Sequence, residues 1–241
     1  MAEMKLISRR HMFGLLAGAV LLPRPARAES TRILMIGSST MAGGFGIYLG
    51  QDLEREHGCV IDRRGKPSTG LARPDFHDWI KAGAQAREAF RPDVVLCLFG
   101  GNDGQGLYMG RQSRSAGAEE WIRWGEPGWV PEYRRRVNAF ADAVAPGPER
   151  LVWIGMQQVR EERLRTRVEI MNEIFETEMA VRPNARYVST WTALSDDGKY
   201  SDHMTVDGQR SRVRTGDGVH VTASGAHVLA DFVRPHVVAM F

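Results

Sequence analysis

Cysteine is scarce: the 241-residue chain carries only Cys59 and Cys97. Each sits in a short apolar run that reads as a buried strand, and a free Cys is often a small core residue. Two Cys on separate interior strands need not meet, so no disulfide is expected and the disulfide-stapled class is excluded. Internal repeats and low-complexity tracts are missing, which removes solenoids and propellers. An excess of charge is missing as well. Of 32 Lys and Arg and 29 Asp and Glu, five basic and one acidic residue lie in the first 28 positions; the remainder holds 27 and 28, a net of −1. A nucleic-acid partner, which needs clustered positive charge, loses its main support. What the chain has is ordinary: 43% apolar and 25% charged residues, enough for a core and suited to one generous domain.

The N-terminus predicts an export signal over residues 1–28. Ser8-Arg9-Arg10 precedes the apolar run Met12 to Leu22, and a Pro-rich stretch ends in Ala26-Arg27-Ala28. That is a charged region, a short apolar region and a small-x-small cleavage site. The apolar run has 11 residues, short of the ~20 that cross a bilayer as a helix. The Arg pair resembles a twin-arginine signal, although Phe13 sits one place late for that pattern. An uncleaved anchor is the alternative. The mature chain, 29–241, would then be periplasmic or secreted, with export machinery as its partner and the membrane met only through the signal.

Along 29–241, apolar runs alternate with helix-like periodicity about five times. Strands are expected at Arg32 to Ile36, Cys59 to Ile61, Asp93 to Phe99, Leu151 to Gly155 and Ala185 to Ser189. Helices are expected at Met41 to Glu56, Asp75 to Phe90, Pro131 to Val144, Arg163 to Ala180 and Thr222 to Met240. Such alternation predicts an α/β fold, a parallel sheet with helices on both faces, and ligands at the carboxyl ends of its strands.

Four motifs fall at that edge. Gly37-Ser38-Ser39 follows the first strand; a sharp turn there would expose the Ser39 hydroxyl, although a plain turn with a helix cap reads the same way. Thr69-Gly70 follows the second strand and offers an unobstructed N–H, or is a simple turn glycine. Gly100-Gly101-Asn102-Asp103 follows the third; Asn102 either points its amide into a site or closes an Asx turn. Asp217-Gly218-Val219-His220 precedes the last helix, where Asp217 can reach back to the His220 imidazole and fix its tautomer. Each motif alone is weak.

In this order and context the four resemble the SGNH hydrolases, the GDSL-like esterase superfamily, from Ile33 to about Val233. The run Gly70 to Trp79 and the Asp-Gly-Val-His-Val-Thr stretch resemble its exported bacterial branch. The resemblance implies a flavodoxin-like three-layer α/β/α sandwich on a five-stranded parallel sheet. It implies Ser39 as nucleophile, His220 as base and then acid, and Asp217 as its orienter. Ser39, Gly70 and Asn102 would form the oxyanion hole, with no metal and no cofactor. Two departures stand out: Ser38 replaces the usual Asp before the nucleophile, and Met156-Gln157-Gln158 replaces a Pro-rich turn.

The connection Gly104 to Val130 is long, and its Trp121, Trp124 and Trp129 either line the substrate cleft or anchor the loop. Arg134-Arg135-Arg136 and the Arg160 to Arg167 stretch read as solvated helix faces, with Glu161 and Arg165 as a helical pair. Asp196 to Tyr200 lacks a full acidic ligand set and reads as a turn. The Gly43 to Gly46 run lacks the Lys-Ser/Thr ending of a phosphate loop. The expectation is an exported serine esterase taking short acyl groups from a cell-envelope glycan or small-molecule ester. An acyltransferase, a lipase or thioesterase, and a silent glycan-binding protein are the alternatives.

Overall fold

The computed structural model of the protein describes residues 30–111, 117 and 120–241. The expected signal, 1–28, and part of the aromatic-rich connection lie outside the described residues. Five strands build the main sheet: β1 (Arg32–Gly37), β2 (Val60–Gly65), β3 (Val94–Leu98), β6 (Arg150–Ile154) and β7 (Ala185–Val188). Their order is β2-β1-β3-β6-β7 and every pair is parallel. The expected sandwich is therefore present. Short pairs decorate it: β4 (Leu107–Tyr108) with β5 (Trp121–Ile122), β8 (Ser195–Asp196) with β9 (Lys199–Tyr200), and β10 (His203–Val206) with β11 (Gln209–Arg212). None of these two- to four-residue strands was foreseen, because so few residues show no alternation.

The central strands β1 and β3 are buried almost throughout. Buried on both faces, they read as continuous apolar runs. Strand β2 lies at the edge, with Val60 41% exposed. Its polar half, Asp62 to Gly65, carries no apolar signal, so the expected strand was too short. Cys59 is excluded from it: its N–H still bonds to Leu53 O at the end of the preceding helix. Both Cys are free and buried.

The expected first helix is two, α1 (Ser39–Ala42) and α2 (Gly44–His57). Extended backbone at Gly43 (φ −88°, ψ −158°) separates them. A side chain at Gly46 would overlap the Met41 carbonyl. Asp78 caps α3 (Trp79–Phe90), accepting from Lys81 N at 3.0 Å, so this helix starts four residues later than expected. Helix α4 (Trp129–Val144) starts before its Pro131, and α5 (Glu162–Ala180) is capped by Glu161. Glu161 spends its carboxylate on Arg163 N and Leu164 N; the Arg165 guanidinium bonds to the carbonyls of Val159 and Arg160 instead of pairing with it. Thr222 caps α6 (Ala223–Val238). Helix α2 packs with α6, and α4 packs with both α3 and α5.

Phe99, Phe140 and Trp153 meet edge to face or tilted, at centroid separations of 5.1, 5.7 and 6.1 Å, and all three are fully buried. This cluster joins α4 to the sheet directly beneath the strand ends. Phe140→Ala is expected to cost about 3–5 kcal/mol of stability, read as a lower urea midpoint with an unchanged slope.

Candidate active site

Strand β1 ends at Gly37, where a Cβ would come 2.5 Å from Leu98 O and 2.9 Å from the Met41 Cβ. The next turn is tied to both neighbouring strands: Ser38 N bonds to Leu98 O at 3.3 Å and Lys66 N to Gly37 O at 2.9 Å. Ser38 is buried and its side chain makes no capping bond. Backbone bonds to β2 and β3 thus hold the turn. Ser39 opens α1, where first-turn amides have no intrahelical acceptor.

The Asp217 to His220 loop brings the other partners to Ser39. Thr215 N bonds to His220 O at 2.9 Å and closes it. Gly218 has φ +71°, the left-handed region, and a side chain there would also press on Arg160. Asp217 Oδ1 accepts from Thr215 Oγ1 (2.7 Å), Val219 N (2.9 Å) and His220 N (3.0 Å). Its Oδ2 meets His220 Nδ1 at 2.7 Å, and His220 Nε2 meets Ser39 Oγ at 2.7 Å. Burial pushes the Asp217 pKa up, but the bonds from His220, Val219 and Thr215 outweigh it and hold the carboxyl well below the usual range. An ionised Asp217 accepts from Nδ1–H, so Nε2 is left to take the Ser39 proton.

Three residues that the sequence did not single out brace this loop. Arg160, expected on a solvated face, donates from its N–H to Gly218 O (3.0 Å) and from Nη1 to Gly216 O (2.8 Å). Its Nη2 pairs with Asp202 at 2.6 Å. Gln157, in the departure from the Pro-rich turn, donates to Val219 O at 3.2 Å. Thr215 completes the Asp217 shell. The contacts of Arg160 and Gln157 span more than 40 residues and leave no mark on local pattern.

Opposite, Asn102 Nδ2 donates to Thr69 O at 3.0 Å. One amide hydrogen joins the loops after β2 and β3, and the second has no acceptor among the described residues. Gly70 is buried, with the Asp103 carboxylate where a Cβ would sit. Ser39 at the start of α1 and Gly70, Asn102, Asp217 and His220 on loops therefore gather at the carboxyl edge of the sheet, and hydrogen bonds join Ser39, His220 and Asp217 directly.

Of the two readings of the tryptophans, the contacts of Trp129 and Trp124 support anchoring of the loop. Trp129 is buried, stacks on Tyr133 at 4.8 Å and donates to Gln105 O at 2.7 Å. Trp124 packs on Trp129 at 4.1 Å and lies 5.0 Å from the Arg167 guanidinium. Trp121 meets Tyr108 edge-on at 5.1 Å, with Arg73 4.9 Å from its ring. A cavity of about 420 Å³ adjoins Gly70 and Leu71, floored by Trp79, Ile80 and Met109. Among the described residues no cluster of three His, Cys, Asp or Glu is placed to hold a metal ion.

The chain belongs to the family described as Protein of unknown function (DUF459), which matches residues 32–236. No curated protein matches it in sequence. Solved structures do match in fold. An alpha/beta hydrolase from the metagenome of Lake Arreo, Spain, is 13% identical with a TM-score of 0.62, over 88% of this chain and 96% of that one. A catalytic mutant of an acetylxylan esterase from Geobacillus stearothermophilus is 14% identical, with a TM-score of 0.59, over 86% and 94%. A protein of Slackia heliotrinireducens, provisionally assigned to the SGNH hydrolases, is 16% identical with a TM-score of 0.54, over 86% and 98%. The fold is that of the SGNH hydrolases.

The Asp217 to His220 bond has two measurable consequences. A low-field proton resonance from His220 Nδ1–H is expected in the wild type and absent in Asp217→Asn. Asp217 is depressed in the fold, so its contribution is present above the unfolded value of roughly 3.9 and lost as pH falls through the folded one. Wild type should accordingly lose more stability than Asp217→Asn on acidification below about pH 4, read by thermal melts.

Proposed function

We propose that the protein is an exported serine esterase that removes short acyl groups from a glycan of the cell envelope. The observation that carries it is the unbroken relay from Asp217 through His220 to Ser39, at 2.7 Å across each link. Ser39 Oγ attacks the ester carbonyl as His220 Nε2 takes its proton, and Asp217 stabilises the imidazolium. The developing oxyanion is met by the N–H groups of Ser39 and Gly70 and the free Asn102 amide hydrogen. His220 then gives its proton to the leaving alcohol. Water attacks the acyl-enzyme with His220 again as base, which returns Ser39 and releases the acid. Apart from the ester and the attacking water, the steps use the side chains of Ser39, His220 and Asp217 and the three oxyanion donors.

Several features support the ester and the small acyl group. The Geobacillus acetylxylan esterase has catalytic mutants at a Ser, an Asp and a His, the last two three residues apart. The same spacing separates Asp217 and His220. Another structure of this fold is an acetyl esterase with acetate ion. The side chains of His220 and Asp217 are 45% and 50% exposed, so an ester carried on a bulky polymer has access to them. Residues 1–28, with their Arg pair and Ala26-Arg27-Ala28 ending, support export by the twin-arginine route.

Intact mass after a fluorophosphonate probe tests the reading. One adduct is expected on the wild type and none on Ser39→Ala or His220→Ala. With an acetylated oligosaccharide as substrate, Asn102→Ala should lower kcat about 10²–10³-fold. Asp217→Asn should lower it about 10⁴-fold. Unchanged turnover in a folded Ser39→Ala variant removes Ser39 as nucleophile.

A further inference from the structure

The motif that supplies Asn102 continues into Asp103, which takes no part in the steps above. Asp103 is fully buried. A buried carboxylate is costly unless hydrogen bonds and opposite charge satisfy it. Its Oδ1 accepts from Ala72 N at 2.8 Å and its Oδ2 from the Tyr133 hydroxyl at 2.8 Å. Burial raises its pKa, while the N–H groups of Ala72 and Leu71, the Tyr133 hydroxyl and the charge of Arg136 oppose that rise.

Arg136 comes from α4 and is itself 4% exposed, in contrast to the solvated face expected of it. Its Nη1 donates to Leu71 O and Ala72 O, both at 2.9 Å, and its Nη2 to Tyr108 O at 2.6 Å. Glu132 holds its Nε at 2.7 Å. The Leu71–Ala72 peptide therefore has its N–H on a carboxylate and its C=O on a guanidinium. The two buried charges compensate each other along the dipole of that peptide. On the other side of Gly70, Thr69 O accepts from Asn102, and the Thr69 hydroxyl accepts from Trp79 Nε1 at 2.9 Å. Gly70 is held between two fixed peptides, and only a glycine lets the loop settle on Asp103.

We propose that Asp103, Tyr133 and Arg136 are positioning residues that aim the Gly70 N–H at the oxyanion by holding the N–H and the C=O of the Leu71–Ala72 peptide from opposite ends. The inference rests on the esterase reading of the site. An oxyanion donor is effective because it is oriented before the charge develops, and a small misplacement from remote mutation lowers rate steeply. A network with a purely structural role would change the folded fraction and leave the activity of each folded molecule intact.

The test uses the full chain, p-nitrophenyl acetate as substrate and phenylboronic acid as tetrahedral mimic. Tyr133→Phe and Arg136→Lys keep most of the packing; Asp103→Ala is the stronger variant, and if it does not fold the other two decide. In both, kcat per folded molecule is expected to fall about tenfold to a hundredfold with KM little changed. Boronate inhibition should weaken by the same factor as kcat/KM, because both report the tetrahedral state. Unchanged kcat and boronate affinity in folded Tyr133→Phe and Arg136→Lys, with turnover abolished in Ser39→Ala, overturn the inference alone. A wild type that neither turns over the ester nor takes the fluorophosphonate overturns the esterase reading, and the positioning role with it.

Discussion

At the carboxyl edge of a parallel sheet the backbone leaves its ladder, and each N–H and C=O freed there needs a new partner or water. In this protein the loops at that edge satisfy one another. Ser38 N takes Leu98 O and Lys66 N takes Gly37 O. Asn102 takes Thr69 O. Thr215 N takes His220 O. The arrangement of Ser39, His220 and Asp217 follows from this mutual satisfaction. Loops that bond to each other stand at fixed separations, and the side chains they carry meet within hydrogen-bond reach.

Arginine carries much of this bracing. The Arg136 guanidinium bonds three carbonyls, that of Arg160 joins Gly216 O to Asp202, and that of Arg167 reaches Gly104 O. The planar fork of a guanidinium suits divergent carbonyls better than the single ammonium of Lys. Arg214 shows the cost of such use. It is fully buried, donates to Gln158 O at 2.8 Å, and burial pushes its pKa down to about 10. The Tyr200 ring, 5.4 Å away, and the negative charge of Asp202 offset part of that penalty.

The same physics explains why a small set of glycines lies at the edge. Gly37 and Gly70 sit where backbone or a carboxylate fills the space of a side chain, and Gly218 supplies a left-handed turn between Asp217 and His220. Each permits an approach that a Cβ would forbid. Ser38 replaces an acidic residue without loss of the turn because main-chain bonds to β2 and β3 already hold it.

The central strands and the long helices were legible because burial on both faces, or on one, writes a period into the apolar residues. Asp217 and His220 were legible because a three-residue spacing lets one loop join them locally. The edge half of β2 and the short hairpins were not, since half-exposed strands of a few residues carry no period. The Trp residues of the connection were ambiguous for a different reason: an aromatic that anchors a loop and one that lines a cleft are the same letter. Arg136 looked like surface charge because its backbone partner Ala72 lies 64 residues away; Arg160 is exposed as expected, and only its bonds to Gly216 and Asp202 were hidden from the local pattern. Sequence by itself determined the alternation of elements, the sheet they form and the motifs that stand at its carboxyl edge, all of which depend on local pattern. Tertiary structure alone decided which charges are buried, which rings are anchors and how Gly70 is held. Those depend on what the chain brings opposite each residue, and no local pattern encodes that.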